Sequence, residues 1–147
     1  MEYLIRDIAL ADEGKQKISW VKSRMPILSA LEEEFAKDKP FKGLKITVSV
    51  HLEAKTAYLA KVLHAGGAQM RVTGSNPLST QDDVAACLVS HFEIPVFAIK
   101  GEDNVTYYKH IDAALDHHPH LTMDDGADLV STLHKARQNQ LEEVIGG

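Results

Sequence analysis

His51 directly follows the β-branched run Lys45–Val50 (KITVSV). Histidine is the side chain that exchanges protons near neutral pH, so a His at a strand end is a candidate acid or base. The second candidate group is Asp124-Asp125-Gly126-Ala127-Asp128, which reads as a strand end, a turn and a helix start. Carboxylates there can move protons. They also cap helices, because the first turn offers free amide groups and the positive end of the dipole. At least one of the three acids is therefore expected to cap, with Asp128 foremost. Glu53 and Lys55 stand in the first turn of a helix at i and i+2, so they do not face each other, and position alone makes them solvated surface. No acid or His set has metal-ligand spacing, and no metal is expected. His117, His118 and His120 flank Pro119 and read as an exposed turn rather than a zinc site.

The elements that must position these residues alternate. A helical lead-in comes first: Ile8, Ala11, Ile18 and Val21 recur at near-helical spacing, and Pro26 opens a second helix with a stripe of Ile27, Leu28, Leu31 and Phe35. Glu32 to Glu34 form its solvated face, and Pro40 ends the segment. Strands are expected at Lys45–Val50, Met70–Thr73, Pro95–Ile99 and Leu121–Asp124. Between and after them come helices over Leu52–His64, from a Thr80 cap paired with Asp83 to about His91, over Asn104 to about His117, and over Ala127–Gln138. Four strand–helix alternations imply an α/β fold: an open, Rossmann-like parallel sheet with helices on both faces. In such sheets ligands bind outside the carboxyl ends of the strands. Those ends carry His51 and Glu53, Ser75 and Asn76, Lys100 and Gly101, and Asp124 and Asp125, which places all of them along one rim.

Composition narrows the function. The chain has 147 residues, 44% hydrophobic and 25% charged, with a net charge of −5, which suits one folded domain. The acidic balance argues against general nucleic-acid binding. No run approaches the roughly 18 apolar residues of a membrane span, and the start has no signal-peptide pattern. Cys87 is the one cysteine. It lies in the apolar helix Val84–Leu88, an inert buried thiol by expectation, and the chain reads as cytoplasmic. No GxGxxG follows any strand, and no Ser-His-Asp elbow or CxxC is present.

Three blocks carry a family resemblance: His51-Leu52-Glu53-Ala54-Lys55-Thr56-Ala57, Ser75-Asn76-Pro77-Leu78-Ser79-Thr80-Gln81-Asp82-Asp83, and Asp124-Asp125-Gly126-Ala127-Asp128-Leu129. In this order and spacing they resemble S-adenosyl-L-homocysteine hydrolases, over nearly the whole chain. The resemblance implies reversible cleavage of S-adenosylhomocysteine to adenosine and homocysteine. It also implies an NAD-dependent route of oxidation at the ribose 3′ position, elimination, hydration and reduction. By the same resemblance, His51 acts beside the 5′ position as a catalytic acid–base group. Asp125 is a catalytic group near the sugar hydroxyls and also binds substrate. Asn76 supports the site, and Glu53 and Lys55 lie near the nucleobase. Glu53 and Lys55 stand where many members have Thr and Glu, a form similar to archaeal and thermophilic bacterial members. That leaves adenine and hypoxanthine both open as the base. Ala127 stands where Gly is usual, harmless if it lies inside the helix. The partners implied are the small-molecule substrate and further copies of the chain, as a homo-oligomer, with no nucleic acid and no membrane. Residues 1–147 correspond to an N-terminal substrate-binding domain. The NAD-binding domain is expected to be absent from this chain, which alone is expected to be inactive and not to bind NAD. A non-catalytic nucleoside-binding or interaction module is the competing reading, and whether the reading frame runs on past Gly147 separates the two.

Overall fold

Alternation along the strands decides which helix layer each residue meets. In the computed structural model, which describes residues 1–147, β1 spans Lys45–Ser49 and β2 spans Gln69–Thr73. Ile46, Val48, Met70 and Val72 point to one face and join a core of 22 buried residues with helices α1 (Ala11–Arg24), α3 (Ala54–Ala65) and α4 (Asp82–Phe92). Helix α2 (Pro26–Asp38) packs beside α3, with Leu28, Leu31 and Phe35 partly buried. The intervening residues face the other way. Thr47 Oγ1 donates to the Ala114 carbonyl at 3.2 Å, and Arg71 donates to the Ala113 carbonyl, both on α5 (Asn104–Leu115). A smaller cluster of Tyr107, Ile111, Leu115, Leu129 and Leu133 joins α5 to α6 (Asp128–Ala136) on that second face.

All four strands are parallel, in the order β3-β2-β1-β4, with β3 at Val96–Phe97 and β4 at Leu121–Asp124. The expected open parallel sheet, with helices on both faces and a helical lead-in, is what forms. Its edges extend further than hydrophobic patterning indicated. Leu4 bridges Phe97, and Gly146 bridges Leu121, both in parallel. Each addition is a single bridge, too short to leave a period-2 signature. The expected third strand, Pro95–Ile99, shrinks to two residues, because Ile99 N instead donates to the Glu102 carboxylate at 3.2 Å and turns the chain.

Five local expectations are corrected. Thr80 and Asp83 do not cap α4: its cap position is Gln81, with no side-chain cap bond. Thr80 is buried instead, and Asp83 pairs with Lys17 at 2.6 Å. Glu32 is not solvated. It joins Lys22 and Lys61, each at 2.8 Å, and accepts from Tyr58 Oη at 2.7 Å, tying α1, α2 and α3 together. Burial alone would raise its carboxyl, but these hydrogen bonds bring it down to about 2. The His117–His120 turn is half-buried rather than exposed. Burial, with Arg71 and Lys45 nearby, pushes His117 down to about 3, and its Nε2 lies 2.5 Å from Thr47 Oγ1. Ile27 stands 79% exposed, outside the apolar stripe that sequence assigned it to. Cys87 is buried, and burial raises its thiol to about 11, as an inert thiol should be.

The fifth correction yields a prediction. Ala127 does not lie inside α6. It is the residue before the helix, with φ at 65° in the left-handed region. A Cβ there costs about 1–2 kcal/mol, partly offset by the greater unfolded freedom of glycine. Ala127→Gly should therefore stabilise the protein by about 1 kcal/mol, read as a higher urea midpoint at unchanged slope. A lower midpoint would show that Ala127 is not strained.

Candidate active site

The sheet order creates the place for a ligand. From β1 the chain steps outward through β2 to β3, then returns across β1 to β4. The crevice between the carboxyl ends of β1 and β4 is where the strand order reverses, the position open α/β sheets use for binding. Ser49 pairs with Asp124 in register. His51 therefore leaves β1, and Asp125 leaves β4, at the same rim. The two ends are tied, because Asp125 N donates to the Ser49 carbonyl at 3.2 Å. Both His51 and Asp125 are exposed there.

The β2–α4 loop closes over this rim. Asn76 Oδ1 accepts from Leu78 N at 2.8 Å, an Asx turn that shapes the loop. Asn76 thus shapes this loop through the backbone. Gln81 N donates to the Leu52 carbonyl at 2.9 Å, fastening the loop to the residue after His51. Ser79 Oγ lies 2.7 Å from His51 Nδ1. The β4 loop lies against the β2–α4 loop: a Cβ on Gly126 would sit 3.4 Å from the Ser75 carbonyl oxygen, at ordinary van der Waals contact. Further along, Lys100 N donates to Asp82 Oδ1 at 2.9 Å, and Asp82 Oδ2 pairs with Arg6 at 2.7 Å. The third strand end is thereby occupied in clamping the N-terminal segment, and Lys100 and Gly101 contribute backbone to the rim.

Glu53 is more than solvated surface. It is the N-cap of α3, and its Oε1 accepts from Lys55 N and Thr56 N, both at 3.1 Å. Glu53 and Lys55 line a cleft of about 480 Å³ with Gln16, Lys17, Trp20 and Gln81. Lys55 also borders an adjoining apolar groove of about 590 Å³ under Met25 to Leu28. The helical lead-in therefore forms one wall of the cleft. Sequence reading gave Lys17, Trp20, Ser79 and Gln81 no role. The Ser79-Thr80-Gln81 block hinted at Ser79 and Gln81, but a wall built from a distant helix leaves no spacing signal for Lys17 and Trp20.

The acidic turn distributes its duties differently from expectation. Asp124, not Asp128, caps α6: Oδ1 accepts from Gly126 N and Ala127 N, and Oδ2 from Val130 N, at 3.0–3.1 Å. Asp128 accepts instead from Tyr107 Oη at 3.1 Å and Tyr108 Oη at 3.3 Å. That leaves Asp125 as the acid of the three whose carboxylate has no protein partner. No three His, Cys, Asp or Glu side chains converge on a possible metal position.

The family model described as S-adenosyl-L-homocysteine hydrolase matches residues 2–146. An adenosylhomocysteinase of Aquifex aeolicus is 52% identical over 147 residues, covering 100% of this chain and 35% of the relative. One of Gloeothece citriformis is 50% identical, covering 99% and 34%. An S-inosyl-L-homocysteine hydrolase of Methanocaldococcus jannaschii is 48% identical, covering 99% and 35%. The chain thus spans about a third of the length of these curated relatives. No helix is long and apolar enough to cross a membrane.

Proposed function

Because this chain belongs to the S-adenosyl-L-homocysteine hydrolase family, we propose that it supplies the nucleoside-side half of a site that cleaves S-adenosylhomocysteine to adenosine and homocysteine. The observation that carries this reading is the rim itself: His51 and Asp125 flank the crevice where the strand order reverses. We assign His51 to proton exchange at the 5′ position, with the departing sulfur or the entering water. We assign Asp125 to the ribose hydroxyls, which it orients and relieves of a proton. Glu53 and Lys55 border the cleft that takes the base, and Asn76 holds the loop above it.

The family's NAD does not fit residues of this chain. Dinucleotide pyrophosphates need free amides at a helix N-terminus. Here Glu53 fills that position on α3, Asp103 on α5 and Asp124 on α6, each with its own carboxylate. The α4 turn carries Asp82 and Asp83. A phosphate would meet a carboxylate at each of these four helix starts. We therefore treat residues 1–147 as a substrate domain and place NAD elsewhere in the complete protein, which we take to be a cytoplasmic homo-oligomer.

The base is the part open to a second reading, because an S-inosyl-L-homocysteine hydrolase is also 48% identical. Adenine carries an amino donor where hypoxanthine carries an oxygen acceptor, so a carboxylate and an ammonium at the base edge sort the two. The test is kcat/KM of the complete protein for both substrates. The adenosyl compound should win, and Glu53→Gln should narrow the ratio by about tenfold, the net size of one hydrogen bond. Gln keeps an acceptor for the α3 cap, so stability should hold. Preference for the inosyl compound would establish the second reading, and an unchanged ratio would remove Glu53 from base selection.

A further inference from the structure

Ser79 is the one side chain that hydrogen-bonds His51. Its Oγ lies 2.7 Å from His51 Nδ1 and 3.4 Å from the Asn76 carbonyl oxygen. His51 Nε2, on the opposite side of the ring, has no protein partner. With His51 neutral, the tautomer sets whether the hydroxyl donates to Nδ1 or, turned to the Asn76 carbonyl, accepts from Nδ1–H. When His51 has gained a proton, both ring nitrogens carry hydrogens and Nδ1–H must donate to Ser79. The chain Nδ1–H to Oγ–H to carbonyl oxygen is then fully satisfied, and it leaves Nε2 to meet the reacting atoms.

Ser79 does not depend on His51 for its own place. The Asn76 Asx turn, the buried Thr80 and the Gln81–Leu52 backbone bond hold the loop without it. We infer that Ser79 is a positioning residue for the reaction, holding the His51 ring with Nδ1 protonated and Nε2 directed at the 5′ position. The inference rests on the reading of His51 as the proton-exchanging group. The bond is charge-assisted only in the protonated form, so it favours that form.

The experiment uses the complete, NAD-loaded protein with S-adenosylhomocysteine, comparing wild type, Ser79→Ala, Ser79→Thr, His51→Ala and His51→Ala/Ser79→Ala. Ser79→Ala should lower kcat about tenfold, with KM changed less than about twofold, as expected when a positioned acid–base group loses its orienter. The acidic limb of its pH–rate profile should move to lower pH. Ser79→Thr, which keeps the hydroxyl, should restore both. In the His51→Ala background, removing Ser79 should cost nothing more, because two residues acting as a unit do not add. An equal loss in both backgrounds, or an unmoved pH profile, overturns the inference while leaving His51 its role. Near-normal turnover in His51→Ala overturns that role, and the inference with it.

Discussion

His51→Ala in the complete protein should lower turnover by about 10²–10⁴, and Asp125→Asn should do the same, the range for losing a positioned acid or base. Both side chains are exposed at the rim, and neither anchors the core. The sole side-chain hydrogen bond of His51 is with Ser79, and Asp125 is held through its backbone amide to Ser49. The variants should therefore fold normally, with unchanged urea midpoints and circular dichroism, so lost turnover would report chemistry. The two should also differ in kind. Asp125→Asn removes a group assigned to the ribose and should raise KM as well as lower kcat. His51→Ala should act mainly on kcat, because proton exchange at the 5′ position belongs to the transition state. Steady-state kinetics on the complete protein decides it. Turnover within about threefold of wild type in both variants, a factor far below that range, would remove both roles.

Why the rim position of these two residues could be read from sequence, while their surroundings could not, follows from how each is placed. A parallel strand announces itself as a short β-branched run, and whatever follows it must sit on the carboxyl rim. His51 and Asp125 were legible in that way, with all four strands and their parallel pairing. The three ordered sequence blocks then named the family, which position alone could not do. Contacts between distant segments leave no such trace. The Lys17–Asp83 pair joins α1 to α4, the Glu32 hub joins three helices, and Ser79 meets His51 across 28 positions. Capping failed for a related reason. Asp124, Asp125 and Asp128 are chemically alike, and choosing among them requires the path of the turn. With Ala127 at φ 65°, the chain folds back so that the last strand residue, not the first helical one, reaches the free amides. The two edge additions, at Leu4 and Gly146, are single bridges set by where the neighbouring strands end.

That capping arrangement gives the second large effect. Asp124→Ala should destabilise the domain by about 2–4 kcal/mol. One carboxylate receives three amide hydrogens, from Gly126, Ala127 and Val130, and an ordinary N-cap, with fewer partners, contributes about 0.5–2 kcal/mol. The anion also meets the positive end of the α6 dipole. Ala removes all of this and leaves three donors to water in a turn already strained at Ala127. Asp124→Asn should cost less, about 1–2 kcal/mol: its oxygen can still serve Gly126 and Ala127, but its NH2 would confront Val130 N–H with another donor. The loss should reach the chemistry as well. The Asp124 turn carries Asp125 and lets Gly126 rest against Ser75, so loosening it frees Asp125 from the crevice. Asp124→Ala should therefore lower turnover in the complete protein, although its own carboxylate is spent on amides. Urea unfolding of the alanine and asparagine variants ranks the two costs. If both fall below about 0.5 kcal/mol, the size of an ordinary surface change, Asp124 does not organise this rim.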